Sequence, residues 1–511
     1  MSTPTASARG VARDGDRTAS PPHVVVVGAG FTGLLAARRL AQSGARVTVV
    51  DAADRAGGQV RTAMIAGRPI DVGSEATHLM YPQVGRLVDE LGLRDSMVCA
   101  RPGTSWLWTP RGLRPLPEGV GPAGPTRLAP VLRSRVMTAP GLVRAGLEPL
   151  VAGRHRLGEG EDLAVGDFVA GRFGAQVADR LVDPLLGSLH SGDVRRLSLR
   201  ACAPSLLPAA TSGASLLRAS RRARAARPGR PAPAVSFVTW PDGLVTIVEA
   251  LLAGLPPGAV EVRLGRQVAS LAHGPDGGYR LSIADPAGHP DDLGGDAHVT
   301  DRLDADGVVL AIPAARAADR LGPLVPAAAD TCAQTPTASV ATVVVGLPPE
   351  AVRPVPALRA NGLLVPSAEG SLLKAATFLS NKWAHLRDPD LFWLRMSAGR
   401  AFDDRLAALD DAELVDRLRD DLRRFTGLDA PPDVVHVQRW PAAMPQLVVG
   451  HTARVAAGRT ALGAALPGVG VAGASYDGVG IASCITSATR AAEQVASWLS
   501  RLVPPDREGT R

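Results

Sequence analysis

The sequence has very little lysine, few aromatic residues and no long apolar run. Its 511 residues include 56 basic side chains, but only Lys374 and Lys382 are lysines. Phe, Trp and Tyr make up 4% of the chain, so Leu, Val and Ala must fill most of the core. The length predicts two or three packed domains. No apolar run could span a bilayer, which predicts no membrane-spanning segment and leaves peripheral membrane contact open.

Cysteine is also scarce. Cys99, Cys202, Cys332 and Cys484 lie far apart, without a CxxC or Cys–His spacing. This pattern predicts reduced, mostly buried thiols in a cytosolic protein and no metal site. Residues 1–22 are rich in Ser, Thr, Arg and Asp and lack the apolar segment of a signal peptide, so we predict a disordered tail there.

The net charge of the chain is modestly positive. A formal net charge of +7 fits an anionic ligand or surface, but it predicts no nucleic-acid partner. The basic run from Arg218 to Arg230 is predicted to be a solvated loop, with a contact to anionic lipid or a partner as the alternative. The oligomeric state is left open.

Residues 23–50 have the pattern of a βαβ unit. Val24–Val27 is a buried-strand run, and the glycine-rich turn after it leads into a helix-forming segment from Leu34. A second strand runs from Arg46 to Val50. This order is the one in which dinucleotide sites occur.

The turn GAGFTG has a physical reason for each glycine. Gly28 permits the tight turn, Gly30 lets the backbone approach a diphosphate, and Gly33 lets helix and strand pack closely. Asp51 ends the second strand, where an acid can accept hydrogen bonds from an adenosine ribose. The register predicts dinucleotide binding, with an ordinary glycine-rich loop as the alternative.

Periodicity predicts further elements along the chain. We predict a helix over Gly166–Leu186 and a strand over Arg263–Val268. Asp410 can cap a helix with one apolar face that ends at Gly427.

Four segments carry a resemblance to a known family. Residues 51–62, DAADRAGGQVRT, resemble the second signature of two-domain FAD flavoproteins. Asp183–Ala201 resembles a segment of porphyrinogen oxidases, and so do Trp440–His451 and Gly473–Ile481. Because these matches extend over nearly the whole chain from residue 23, the sequence resembles the porphyrinogen oxidase family, which includes protoporphyrinogen oxidases and Gram-positive-type coproporphyrinogen III oxidases.

The resemblance implies an α/β (α+β) fold of the amine-oxidase type. A Rossmann-like FAD domain would be built from residues 23–100, 233–318 and 455–511. A helical subdomain over 101–232, with a membrane-facing side left open, and a mixed-sheet substrate domain over 319–454 would complete it.

The resemblance also implies FAD as the cofactor, with NAD as the alternative. In the family, the residue matching Val268 offers its backbone to the adenine, and the helix after Gly480 faces the pyrimidine end of the flavin. The candidate cofactor contacts are Gly28, Ala29, Gly30, Phe31, Thr32, Gly33, Asp51, Ala52, Arg55, Gly57, Gly58, Gln59, Gly73, Ser74, Glu75, Ala76, Val268, Trp440, Gly473, Val479, Gly480 and Ile481.

The implied activity is oxygen-dependent oxidation of a porphyrinogen in haem biosynthesis. Coproporphyrinogen III is the favoured substrate, because Ser380–Trp383 and the hairpin around Trp106 look more like the coproporphyrinogen-oxidising enzymes. Ser105 also stands where eukaryotic-type protoporphyrinogen oxidases place a propionate-binding arginine. Protoporphyrinogen IX is the alternative substrate.

Two further alternatives stay open. Thr77-His78-Leu79, His190 and Leu447 replace aromatic or basic residues of the family pattern, which keeps open a paralogous oxidase of another amine or pyrrole in secondary metabolism. Because some relatives of this fold have lost FAD, the resemblance also leaves a non-enzymatic binding protein of the same fold. His190 could accept a proton, although a structural histidine is the simpler interpretation. Lys382 could contact a carboxylate or the flavin edge, or could simply cover the indole of Trp383.

Overall fold

A parallel five-stranded sheet forms the first layer of the protein. The computed structural model describes residues 20–121, 124–226, 237–274, 277–286 and 299–502. All neighbouring strands of this sheet are parallel. Their order across the sheet is Val260–Arg263, Arg46–Val50, His23–Val27, Gly307–Leu310 and Val469–Val471. Three stretches that lie far apart in the sequence therefore build one sheet.

The predicted βαβ unit forms the centre of this sheet. Strand β1 (His23–Val27) is followed by helix α1 (Phe31–Gln42) and strand β2 (Arg46–Val50). The valines of β1 are fully or almost fully buried, as expected for a parallel strand covered on both faces. One cover includes α1 and the C-terminal helix Ile481–Leu502, which pack against each other in a shared apolar core.

A seven-stranded mixed sheet forms the second layer. Its neighbours are antiparallel except for one parallel pair, Gly362–Leu364 with Ser105–Thr109. The order is Val434–Pro445, Thr337–Leu347, Phe392–Ala398, Leu373–Thr377, Gly362–Leu364, Ser105–Thr109 and Gly112–Pro115. The last two strands are the hairpin that contains Trp106.

A long helix covers one face of the second sheet. It runs from Asp411 to Thr426, begins with a capping box between Asp410 and Glu413, and stops at Gly427, whose φ is +80°. The prediction for this helix is confirmed. The opposite face of the sheet, which carries Val344 and Trp393, packs against the hairpin Thr62–Asp71.

Helices form the third layer, between residues 128 and 226. The predicted helix Gly166–Leu186 is not continuous, because Gly174 adopts a φ of +94° and interrupts it. The chain resumes with the short helix Ala175–Val177 and continues as a π-helical segment, Ala178–Gly187, which accommodates Pro184. The helices of this layer are Leu128–Ser134, Ala139–Gly146, Glu148–Val151, Ala152–Arg154, Val165–Phe173, Ala175–Val177, Ala178–Gly187, Ser188–His190, Leu199–Cys202, Pro204–Leu206, Leu207–Ser212 and Leu216–Ala225.

The predicted basic loop is helical where it is described. Leu216–Ala225 forms a helix because its Ala, Arg and Leu residues favour helix and because Glu148 caps its start. The Glu148 carboxylate accepts a hydrogen bond from the amide of Leu216 at 2.9 Å and one from the hydroxyl of Ser215 at 2.5 Å. Residues 227–230 of the run lie outside the described part of the chain.

The remaining elements connect the layers. The predicted strand Arg263–Val268 is two strands, because Gly265 turns the chain with a φ of +62°. The remaining strands and helices are Thr62–Ile65, Arg68–Asp71, Thr77–His78, Pro82–Glu90, Val98–Cys99, Val120–Gly121, Gly124–Pro125, Phe237–Thr239, Thr246–Ala253, Gln267–His273, Tyr279–Ala284, Val299–Ala305, Ala314–Leu321, Pro326–Ala333, Pro349–Val352, Pro356–Arg359, Ser367–Glu369, Leu379–Lys382, Ala384–Leu386, Asp404–Ala408, His451–Ala465 and Ala474–Asp477.

The predictions on membrane-spanning segments, cysteines, the N-terminal tail and domain boundaries concern the whole chain. No described helix combines the length and the apolar character needed to cross a bilayer. All four cysteines are free thiols, and only Cys99 is exposed. Burial raises the pKa of the thiols of Cys202, Cys332 and Cys484, in agreement with the prediction of mostly buried thiols. Most of the predicted tail lies outside the described residues, and the predicted domain boundaries stay a prediction.

Candidate active site

The turn between β1 and α1 contains two glycines that the fold requires and one that it does not require. A Cβ on Gly33 would lie 1.8 Å from the carbonyl oxygen of Gly28, and one on Gly28 would lie 2.5 Å from that of Ala311. A Cβ on Gly30 would meet nothing closer than the Cα of Gly58, at 3.9 Å. Gly28 and Gly33 are therefore needed for packing within the protein, whereas Gly30 borders a space that a ligand can enter.

Helix α1 presents its N-terminus to the same space. Gly30 is its N-cap, no side chain caps it, and its first turn contains no acidic residue. The amides of Phe31, Thr32 and Gly33 precede the first amide that has a helical partner, which is the one of Leu34. Unpaired amides and the positive end of the helix dipole make this terminus suitable for a diphosphate.

The second glycine-rich segment lies directly against this turn. The amide of Gly57 donates to the carbonyl of Ala29 at 2.8 Å, and Gly58 adopts a φ of +58°. Arg55 donates to the carbonyl of Gly58 at 3.0 Å, which fixes the loop from its outer side. The two signatures predicted to contact the diphosphate therefore face each other across Gly30 and Gly58.

Asp51 lies at the end of β2 as predicted from the βαβ pattern. Its carboxylate accepts hydrogen bonds from the amides of Ala29, at 2.6 Å, and Ala53, at 2.8 Å. Burial raises the pKa of Asp51, while these two hydrogen bonds act to lower it. The carboxylate therefore links the β1–α1 turn to the segment that follows β2, in which Ala52 is half-buried. Its contact with a ribose stays a prediction.

Glu75 is the centre of a charged network between the two sheets. One carboxylate oxygen accepts from Lys382 Nζ at 2.7 Å and from Trp383 Nε1 at 2.9 Å, and the other accepts from Arg395 Nη1 at 3.1 Å. Burial acts to raise the pKa of Glu75, but the two cations and their hydrogen bonds outweigh it and hold the pKa at about 2. Lys382 also lies over the ring of Phe237, 4.8 Å from its centre.

The segment Val72–Ala76 is held in place on several sides. Arg395 donates to the carbonyl of Gly73 at 2.7 Å, and Trp440 Nε1 donates to that of Val72 at 3.1 Å. The amide of Ser74 donates to the carbonyl of Gln59 at 3.0 Å. Since a Cβ on Gly73 would lie 2.0 Å from that same carbonyl, only glycine fits there.

The third signature forms the start of the C-terminal helix. Gly473 and Gly480 adopt φ values of +126° and +100°, and a Cβ on either would meet nothing within 4 Å. Val479 and Ile481 flank the entry to the helix, whose first turn carries no acidic residue. A second helix N-terminus bordered by open glycines is thus available for a ligand.

The predicted site residues Val268 and His190 also have partners within the protein. The carbonyl of Val268 accepts a hydrogen bond from Arg320 at 2.7 Å, so that the adenine contact expected of its backbone stays a prediction. His190 is 4% exposed, and burial lowers its pKa to about 4. The nearest partner of its ring is Cys202 Sγ, at 3.9 Å. This environment keeps His190 neutral near pH 7 and favours the structural interpretation.

Sequence reasoning missed Arg395 and underrated Lys374. Both are cations within apolar strands of the second sheet, at Phe392–Ala398 and Leu373–Thr377. A charge at such a position is costly unless it is paired, and that cost is a usable signal. Lys382, in contrast, was singled out, and it pairs with a carboxylate of the protein.

The residues present fit an FAD molecule. A Cβ on Gly30 would meet nothing closer than 3.9 Å, and one on Gly473 or Gly480 nothing within 4 Å, so these glycines border open space beside two helix N-termini whose first turns contain no acidic residue. A Cβ at these glycines would fill part of that space, which offers amide donors rather than carboxylates where a diphosphate needs them.

The comparisons with known proteins agree with this geometry. The family model described as flavin containing amine oxidoreductase matches residues 31–496. The coproporphyrinogen III oxidase of Propionibacterium freudenreichii is 33% identical over 97% of this chain and 94% of its own length. The coproporphyrinogen III oxidase of Bacillus subtilis is 29% identical over 93% of this chain and 98% of its own length.

A solved structure is similar over the same range. The crystal structure of a putative protoporphyrinogen oxidase from Exiguobacterium sp. 255-15 has a TM-score of 0.79 and 26% identity, and it covers 94% of this chain and 99% of that one. The predicted fold class, resemblance, FAD cofactor and oxidase class are confirmed. The chain therefore belongs to the family of flavin-containing amine oxidoreductases.

Proposed function

We propose that this protein oxidises coproporphyrinogen III to coproporphyrin III in haem biosynthesis. The proposal is supported chiefly by similarity along nearly the whole chain to several coproporphyrinogen III oxidases, since 33% identity over 95% of the chain also relates it to the Mycobacterium tuberculosis enzyme. The cradle described above supplies the matching chemistry. We propose that the predicted contact residues between Gly28 and Ile481 hold FAD there.

The reaction removes six electrons and six hydrogens from the macrocycle. Three molecules of oxygen take them up and leave as three molecules of hydrogen peroxide. When bound, FAD supplies a two-electron acceptor that oxygen can regenerate. Nitrogen lone pairs of the pyrroles assist the loss of hydride from the neighbouring saturated carbon, so the substrate provides much of the driving force.

The side chains of the protein position and shield the substrate rather than react with it. Glu75, Lys382 and Arg395 hold the segment Val72–Ala76 in one conformation between the sheets. The buried indoles of Trp383 and Trp393 keep water away from this side of the network. Holding reactants in a fixed geometry within a dry site accounts for a large share of many rate enhancements.

No protein base is needed for this proposal. The imidazole of His190 is buried, and its pKa of about 4 makes it a weak proton acceptor near pH 7. Each proton released from a pyrrole nitrogen can leave through water at the edge of the site. We therefore propose a structural role for His190. Its carbonyl accepts a hydrogen bond from the side-chain amide of Gln446 at 2.9 Å, which connects the chain just after the π-helical segment to Gln446.

An oxidation assay tests the substrate. Purified protein loaded with FAD is mixed in air with coproporphyrinogen III or with protoporphyrinogen IX, and porphyrin fluorescence and peroxide are followed. We expect coproporphyrin formation well above autoxidation, with three peroxides for each porphyrin and slower turnover of protoporphyrinogen IX. Fluorescence at the autoxidation rate with both substrates would reject the proposal. Faster oxidation of protoporphyrinogen IX would show that coproporphyrinogen III is not the preferred substrate.

We also propose that the helical layer binds the surface of an anionic membrane. Val143, Leu147 and Leu150 are 66%, 42% and 72% exposed, and their spacing puts them on one side of consecutive helices. The basic helix Leu216–Ala225, with exposed Arg221, packs against the helix Glu148–Val151, which carries Leu150. Apolar side chains next to arginine suit the interface of a bilayer that carries anionic lipid.

Vesicle flotation tests this surface. We expect the protein to float with vesicles that contain phosphatidylglycerol and to remain in solution with pure phosphatidylcholine vesicles. Leu150→Asp should abolish flotation, whereas Val435→Asp, at an exposed position of the second sheet, should not. Flotation unchanged in Leu150→Asp, or absent in the wild type, would refute the proposal.

A further inference from the structure

Lys374 is a buried cation without a carboxylate partner in the part of the chain that the structure describes. It is 5% exposed, and its ammonium group donates to the hydroxyl of Ser191. An ammonium has three donors, and no other described atom accepts from this one. A buried charge of this kind is costly, and proteins tolerate it when an anion compensates for it.

Arg400 lies beside Lys374 and is also incompletely paired. Its Nη2 donates to the carbonyl of Val365 at 2.9 Å, and the amide of Val365 donates in turn to the carbonyl of Lys374 at 3.0 Å. The Nη1 atom of Arg400 is buried without a partner among the described atoms. The side chain of Arg400 forms no ion pair in that part of the chain either, and the carboxylates of Asp183 and Asp403 act on its pKa only from a longer distance.

Ser191 connects these two cations and is itself in an unusual conformation. Its carbonyl accepts from the amide of Ala401, the residue after Arg400, at 2.6 Å, while its hydroxyl faces Lys374. It is fully buried and adopts a φ of +51°, which is rare for a residue other than glycine. Strained, buried polar residues of this kind cluster at ligand-binding sites.

Lys374 lies in a strand of the second sheet that pairs with the strand of Arg395. Ser188, from the segment that resembles porphyrinogen oxidases, donates to the carbonyl of Lys374 at 3.4 Å. Burial first, and then the charges of Arg400 and Arg395, lower the pKa of Lys374 to about 7. Arg395, one of the charges that act on Lys374, also donates to the carbonyl of Gly73, a predicted cofactor contact.

We propose that Lys374, Ser191 and Arg400 form a binding site for one carboxylate of the substrate. The free donors of Lys374 and the unpartnered Nη1 of Arg400 would bind the carboxylate oxygens, and Ser191 orients the ammonium. This inference rests on the proposed function, because a porphyrinogen carries its propionates at the rim of the ring. A propionate held here fixes which edge of the macrocycle points away from the flavin.

Product binding tests the site without relying on turnover. FAD-loaded wild type and Lys374→Met are titrated with coproporphyrin III and with etioporphyrin, which has no carboxylate, and changes in flavin absorbance report binding. We expect at least about tenfold weaker binding of coproporphyrin III by Lys374→Met and no change for etioporphyrin, since only coproporphyrin III offers a carboxylate for a charge-assisted hydrogen bond. Ser191→Ala should show a smaller loss in the same direction.

A surface variant controls for net charge. Arg353→Met removes an exposed cation from the same layer and should bind both porphyrins like the wild type. Equal losses for both porphyrins in Lys374→Met, or no loss, would contradict the carboxylate site and leave the proposed oxidation intact. If the wild type oxidises neither porphyrinogen, the proposed function fails, and titration with benzoate in the wild type and in Lys374→Met then tests the carboxylate site alone.

Discussion

Gly30→Val is expected to give a folded protein that contains no FAD and has no oxidase activity. Gly30 has a φ of −66° and a ψ of +171°, which valine readily adopts. The new Cβ would lie 3.9 Å from its nearest neighbour within the protein, an ordinary contact. The side chain would instead occupy the gap in front of the α1 N-terminus, where the diphosphate is proposed to bind.

The ratio of flavin to protein absorbance in purified Gly30→Val measures the effect, and circular dichroism verifies the fold. Gly463→Val is a matched control, because a Cβ added to Gly463 would also meet nothing within 4 Å, but this glycine lies in the helix His451–Ala465, away from the signatures. It should retain FAD like the wild type. Stoichiometric FAD in Gly30→Val would contradict the placement of the diphosphate.

Glu75→Gln is expected to destabilise the protein by about 3 kcal/mol near pH 7, because it leaves two shielded cations without their carboxylate. Lys382 and Arg395 have side chains that are only 17% and 13% exposed, and Glu75 itself is 13% exposed. Glutamine keeps the size of the side chain and removes the charge. The apparent midpoint of unfolding in denaturant, measured with FAD in excess, should fall clearly.

The pH dependence gives this prediction a second readout. The pKa of Glu75 is about 2 in the folded protein, below its ordinary value of 4.5. A carboxylate with a lowered pKa stabilises the fold fully above its unfolded pKa, and this contribution disappears as the pH falls through the folded pKa. The difference in stability between wild type and Glu75→Gln should therefore be constant above about pH 4.5 and shrink towards pH 2.

Glu261→Gln is the control for Glu75→Gln. Glu261 also pairs with an arginine, Arg263, but its side chain is 56% exposed, so its loss should cost less than about 1 kcal/mol. Equal stability of Glu75→Gln and the wild type would show that the buried network does not hold Val72–Ala76 in place.

Local patterns in the sequence predicted the parts of the fold that depend on neighbouring residues. The βαβ unit follows from a valine run, three glycines and an acid that lie close together in the chain, and the helix after Asp410 follows from a capping box and an apolar stripe. The predicted helix over Gly166–Leu186 failed at Gly174, which has a φ of +94° and ends the first helix. Glycine adopts such a φ readily, but an apolar stripe does not reveal where it does so.

The charged networks could not be predicted in the same way, because their partners are far apart in the chain. Glu75 and Lys382 are separated by 307 residues, and Lys374 and Ser191 by 183. The sequence marked Lys382 as unusual but could not identify its partner. It drew attention to His190 through a family motif, whereas the carboxylate site that we propose involves the next residue, Ser191.

Anaerobic mixing of the FAD-loaded protein with coproporphyrinogen III tests the central claim most directly. With oxygen absent, we expect the visible absorbance of oxidised flavin to disappear as the macrocycle loses its first two electrons, and to return when oxygen is admitted, together with porphyrin absorbance. Flavin that stays oxidised in the presence of excess coproporphyrinogen III would contradict the account.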